Sequence, residues 1–148
     1  MSLEPYLSFE GRCDEAFAFY QRQLGAEVEG LMRYKDAPGG PYPGRATAEN
    51  VMHARVRVGD GHFMASDGGN SGSPRFSGVS LTLTVKDDAE AKRKFDGLCE
   101  GGQVMQPLTA TFFASSFGMV VDRFGVSWMV TALLPMPGDG RPEKTAAA

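Results

Sequence analysis

The sequence predicts an α+β fold built from two βαβββ modules. Three observations predict it. Two segments with helical apolar spacing, one over 12–24 and one between Asp87 or Asp88 and Gly101, each follow a short apolar strand. Apolar–polar alternation marks strands at 51–58 and 79–85. One fixed interval relates the halves: Glu15-Ala16 and Tyr20 recur as Glu90-Ala91 and Phe95, and with one inserted residue Gly25-Ala26-x-Val28 recurs as Gly101-Gly102-x-Val104. Neither unit can bury both of its faces alone, so the expectation is a curved mixed sheet with outer helices and a cavity inside. A chain of 148 residues fits one domain. The domain is expected over 1–132, with module 1 about 3–68, module 2 about 78–132 and a poorly ordered, Pro/Gly-rich tail at 133–148.

In the first half, Pro5 to Glu10 reads as a strand ending at Gly11. Arg12 to Leu24 places Cys13, Phe17, Tyr20 and Leu24 on one face, and Gly25 stands where a helix C-cap needs positive φ. Val28 to Tyr34 reads as a strand, and the Pro/Gly-rich 35–49 segment as a long loop. Met52, Ala54, Val56 and Val58 alternate with His53, Arg55 and Arg57. Gly59-Asp60-Gly61 turns the chain back into His62–Asp67. A two-residue turn sets His53 opposite Ser66 and Arg55 opposite Met64; a three-residue turn sets His53 opposite Asp67. The two-residue turn is preferred because it keeps Ala54, Val56, Phe63 and Ala65 on one apolar face.

In the second half, Val79, Leu81, Leu83 and Val85 alternate with Ser80, Thr82 and Thr84. Asp87 or Asp88 can cap the next helix, which Gly101-Gly102 stops. Strands are expected near Gln103–Gln106, Phe117–Val121 and Val126–Thr131.

The net charge of −3 offers no basic surplus for nucleic acid or anionic membranes. No apolar run approaches the ~20 residues of a membrane span. Met1-Ser2-Leu3-Glu4-Pro5 lacks the pattern of a secretory leader, and Cys13 and Cys99 have no CxxC spacing. Together these predict a cytoplasmic protein with free thiols.

Tyr6-Leu-Ser-Phe-Glu-Gly11, Glu15-Ala16, Phe19-Tyr20 and Leu24-Gly25-Ala26 resemble the opening of the vicinal oxygen chelate superfamily, which includes glyoxalases, bleomycin resistance proteins and extradiol dioxygenases. Met52-His53-Ala54, Gly59-Asp60-Gly61, Met64-Ala65-Ser66-Asp67 and the run from Phe117 to Trp128 resemble its PhnB-like branch. The resemblance covers about 3 to 132. It implies a homodimer and metal-ligand positions on the first and last strand of each unit. Counted along this chain, those positions fall at Pro5, Ala65, Ser80 and Met129. Such side chains are poor ligands for Zn, Ni, Fe or Mn, so no metal and no other cofactor is expected there. A methyltransferase label sometimes goes with this branch, but no glycine-rich adenosylmethionine loop is present.

Two function classes remain. One is a metal-independent binder of a small polar or anionic molecule, with His53, Arg55, Ser66, Asp67 and Ser80 as ligand contacts. The other is an enzyme of the lyase, transferase or dioxygenase kind, using His53 with Asp67 or a non-standard metal site. A carboxylate beside imidazole would orient it as general acid or base. A strand face that is only solvated produces the same alternation, and a turn aspartate accounts for Asp67 equally well.

Overall fold

In a computed structural model, which describes residues 1–135, the chain forms two compact units, Met1–Ser77 and Gly78 onward. Each has the predicted βαβββ order. The first contains β1 (Tyr6–Ser8), α1 (Cys13–Leu24), β2 (Glu27–Arg33), β3 (Val51–Val58) and β4 (Gly61–Ser66). Its sheet runs β1-β4-β3-β2, with β1 parallel to β4 and the other pairs antiparallel. The second contains β5 (Ser80–Val85), α2 (Asp88–Cys99), β6 (Gln103–Thr109), β7 (Ala114–Val121) and β8 (Ser127–Leu133), in the sheet order β5-β8-β7-β6. Here β5 and β8 are the parallel pair.

In the first unit α1 covers one face of the sheet. Its Phe17 and Tyr20 meet Phe9, and Tyr20 meets Phe63 edge-on with ring centroids 6.0 Å apart. Ala54, Val56, Phe63 and Ala65 are all buried. The β3–β4 register pairs Ala54 with Ala65 and Val58 with Gly61, which is the two-residue turn. Gly25 ends α1 in the left-handed conformation, φ 68°, and its N–H returns to the Gln21 carbonyl. The helix start departs from local capping rules. Arg12 at the N-cap makes no side-chain capping bond, and the carboxylate of Asp67, from beyond the end of β4, accepts the Cys13 N–H at 2.9 Å instead.

In the second unit Asp87 caps α2, accepting from the Glu90 N–H. Gly118 on β7 lets the helix approach closely: a Cβ there would stand 2.7 Å from the Phe95 ring. Trp128 is 2 % exposed. Its indole N–H donates to Asp122, which also accepts the N–H groups of Phe124 and Val126 in the β7–β8 turn.

Several boundaries differ from expectation. Strand β6 reaches Thr109, β7 begins at Ala114, and β8 continues to Leu133, the first residue of the expected tail. The remainder of that tail, from 136, lies outside the described residues. Among the described residues no helix is long and apolar enough to cross a membrane.

Candidate functional site

The face of the first sheet turned away from α1 carries the polar residues. In β3 these are His53, Arg55 and Arg57. The strand pairing aligns Glu27 with Arg57, Glu29 with Arg55 and Met32 with His53 on β2. On the other side β4 contributes Ser66 and His62, while β1 contributes Ser8 beside Ser66 and Tyr6 beside Met64.

Two regions of this face differ in chemistry. Around Arg55 and Arg57 the charges are already matched. Arg55 donates through Nε and Nη2 to Glu4 Oε1 at 3.0 and 2.8 Å, and its Nη1 lies 3.6 Å from Glu29. Arg57 pairs with Glu27 and Glu29, and His62 Nε2 lies 3.4 Å from Glu29. Ion pairs to both Glu27 and Glu29 raise the Arg57 pKa further. This network leaves Arg55 with its guanidinium committed to carboxylates of its own chain.

Towards the other end of the strands the groups are less occupied. Tyr6 Oη and His53 Nδ1 are 3.1 Å apart, the tautomer deciding which donates. No group among the described residues bonds His53 Nε2. Ser8, Ser66 and His53 stand side by side on β1, β4 and β3. At ~4.8 Å per strand, Ser8 and His53 are roughly 10 Å apart. Beyond β1, a cavity of about 410 Å3 is lined by Ser8, Glu10, Ser71, Ser73 and Arg75. The Ser8 hydroxyl donates to Glu10 at 2.5 Å, and the Gly69 N–H donates to the same oxygen at 3.1 Å. The Ser8 and Ser71 hydroxyls hold the Glu10 carboxyl below its usual range, against the opposing effect of burial.

Of the five residues read from the sequence as ligand contacts, the fold brings His53, Arg55 and Ser66 together on this open face. Asp67 is placed otherwise. It is 2 % exposed and accepts the N–H groups of Cys13 and Val51 and the Asn50 side-chain amide. It therefore stands inside the protein rather than at a cavity rim, and the ring partner of His53 is Tyr6. Ser80 belongs to β5 of the second unit, where its hydroxyl meets that of Ser127 at 2.8 Å.

The count that gave Pro5 and Ala65 as family ligand positions also shifts. Leu7 and Ala65 pair with each other and are buried, so they lie on the α1 side. The open-face neighbours are Tyr6 and Ser8 on β1, with Met64 and Ser66 on β4. In the second unit the open face of the parallel pair carries Ser80, Thr82, Ser127 and Met129. None of these is a strong ligand for a divalent cation. Among the described residues no three His, Cys, Asp or Glu side chains gather as a metal site would require. The donor set does not fit the superfamily's metal.

Sequence reasoning missed Tyr6, Ser8, Glu10 and Arg75. The first two were legible in principle, because Tyr6 and Ser8 alternate with buried Leu7 and Phe9. Arg75 stands in an irregular segment with no period to place it.

The model of a family described as 3-demethylubiquinone-9 3-methyltransferase matches residues 1–131. Protein YjdN of Escherichia coli (strain K12) is 39% identical over 148 residues, spanning 93% of this chain and 99% of its own. The crystal structure of PA1353 from Pseudomonas aeruginosa shares 42% identity at a TM-score of 0.77, covering 89% of this chain and 97% of that one. A Bacillus cereus PhnB protein, titled a putative 3-demethylubiquinone-9 3-methyltransferase, shares 30% identity at a TM-score of 0.73, covering 89% and 99%. A glyoxalase/bleomycin resistance/dioxygenase domain from Frankia sp. EAN1pec, at 12% identity and a TM-score of 0.63, shares the fold. The chain belongs to the PhnB-like, 3-demethylubiquinone-9 3-methyltransferase family.

Proposed function

We propose that this protein binds a small polar molecule on the open face of its first module, without a divalent metal at the superfamily position. The observation that supports this reading is the row Ser8, Ser66, His53, with Tyr6 on His53 Nδ1 and Nε2 left for a ligand. A neutral imidazole can donate or accept there, the Ser66 hydroxyl, which accepts the Gly68 N–H, can donate, and the Ser8 oxygen, its proton given to Glu10, can accept. Arg55 contributes by shaping the floor through its pair with Glu4.

The test is ligand binding by calorimetry after a thermal-shift screen of polar metabolites. His53→Ala is expected to weaken binding by ~1–3 kcal/mol through the unmade hydrogen bond, with the fold intact. Unchanged affinity overturns the role of His53.

The enzyme reading has one observation in its favour, the Tyr6–His53 pair, which is a pathway for moving a proton. It calls for turnover of a bound compound that stops in both Tyr6→Phe and His53→Ala.

We propose further that the chain works in the cytoplasm as a homodimer. Free cysteines support the compartment. Val104 and Met105 on β6, together with Phe112 at 84 % exposure, are apolar surface that a second copy would cover. Light scattering at micromolar concentration is expected to give about twice the 15.9 kDa chain mass.

A further inference from the structure

We infer that the cavity beyond β1 takes a small dipolar molecule, its amino group at Ser8, Ser71 and Glu10 and its oxyanion on Arg75. This rests on the reading that this end of the first module binds a small molecule, and it names the class of that molecule.

The lining holds one carboxylate, one guanidinium and three serines. Glu10 is ionised across the neutral range, because hydroxyl and backbone donors favour its charged form. Each hydroxyl that donates to a carboxylate leaves its own lone pairs for another donor. Ser8 is so arranged; the Ser71 oxygen accepts the Ser73 N–H at 3.3 Å and keeps one lone pair, and the negative charge behind both hydroxyls strengthens their pull on an N–H group. That end of the cavity favours an ammonium.

Arg75 supplies the other end. It is exposed, and among the described residues it has no ion pair or hydrogen bond. A guanidinium presents a fixed fork of donors suited to carboxylate, sulfonate or phosphate. A ligand with only an anionic group meets repulsion from Glu10, and one with only a cationic group meets repulsion from Arg75. A molecule carrying both charges satisfies both. The volume of about 410 Å3 is at the small end of ligand sites.

Glu10 also braces the turn at 68–72. Its carboxylate packs closely on that turn: a Cβ on Gly68 would stand 2.1 Å from Glu10 Oε2 and from Ser8 Oγ. Glu10 itself holds φ 51°, a conformation uncommon for a residue with a side chain. Bracing accounts for Glu10, Ser8 and Gly68. It gives no account of an unpaired arginine closing the same cavity.

The test uses the full chain and NMR titration with glycine, β-alanine, γ-aminobutyrate, taurine and O-phosphoethanolamine, against propionate, inorganic phosphate and propylamine. At least one of the five dipolar probes is expected to bind roughly tenfold tighter than any single-charge control, shifting the amides of Ser71, Ser73 and Arg75. Comparison within the five identifies the oxyanion and the charge separation. Arg75→Gln should reduce that probe to the level of propylamine, and Glu10→Gln to the level of its anion. Arg75→Gln changes only an exposed side chain, so the result stands even if Glu10→Gln unfolds the turn. Equal binding of dipolar and single-charge probes, no shift with any probe, or wild-type affinity in Arg75→Gln overturns the inference. If His53→Ala keeps full affinity for the probe while Arg75→Gln loses it, this site stands and the His53 reading falls. The opposite result overturns this site alone.

Discussion

Asp67 shows how a carboxylate that looks reactive in the sequence becomes structural in the fold. One oxygen caps the first turn of α1 through the Cys13 N–H, and the other accepts the first N–H of β3, from Val51. Removing the carboxylate strands buried donors, each of which is expensive to leave unmade. Asp67→Ala is expected to lose about 3 kcal/mol in urea denaturation, whereas His53→Ala on the open face should change stability little. A catalytic Asp67 would give the reverse, lost turnover with stability retained. The same carboxylate influences Cys13. Burial first, and then the Asp67 charge, push that thiol well above its ordinary range, so Cys13 is a packing residue. The sequence could not separate these roles, because its alternation ends at Asp67 and a strand-end aspartate fits a turn, a rim or a cap.

At the scale of elements, much was legible. Both helices, the β3–β4 hairpin and its two-residue turn followed from apolar period and glycine position, because a one-residue slip would have turned Ala54, Val56 and Phe63 outward. The first strand was placed less well. The interval that aligns the two helices does not align their strands: buried Leu7 corresponds to the Leu83 side of β5, one residue further on than the helix interval gives. A short strand of three residues has too little alternation to fix its own face. In the second unit Pro107 and the exposed pattern of β6 hid its full length; β6 is an edge strand of its sheet, where proline is tolerated. The contact of α2 with β7 is likewise settled by one small residue. Gly118→Val would drive methyl groups into the Phe95 ring, and overpacking of this kind costs ~1–3 kcal/mol. Chemical denaturation is expected to show that loss, with Phe95→Leu in the same chain recovering part of it.

For the molecule as a whole, two carboxylates link stability to acid. The Glu10 carboxyl is held below its ordinary value of 4.5 by the Ser8 and Ser71 hydroxyls. Asp88 is held below 3.8 by the Ser115 and Ser116 hydroxyls, each at 2.6 Å. A depressed carboxyl contributes stability that is present above its unfolded pKa and is lost as pH falls through its folded value. Thermal unfolding from pH 6 down to pH 3 is therefore expected to steepen below about pH 4.5. The double variant Glu10→Gln/Asp88→Asn should show a shallower decline over the same window. An unchanged slope would remove both groups as its source. The repeated topology was readable from the sequence because it depends on many weak periodic signals. The candidate site depends on a handful of side chains whose partners, such as Tyr6 for His53, come from strands distant in sequence.

The indole of Trp128, fixed on Asp122 inside the second unit, has a practical consequence. It is the one tryptophan of the chain, and both histidines, His53 and His62, belong to the first half. Each half therefore carries its own spectroscopic label. Tryptophan emission follows the melting of the second unit, and the imidazole proton resonances follow the first. If the two signals vanish together in urea, the halves unfold as one cooperative body. If the imidazole signals collapse first, the half that carries the open polar face is the more labile, and a ligand added there should draw the two curves together.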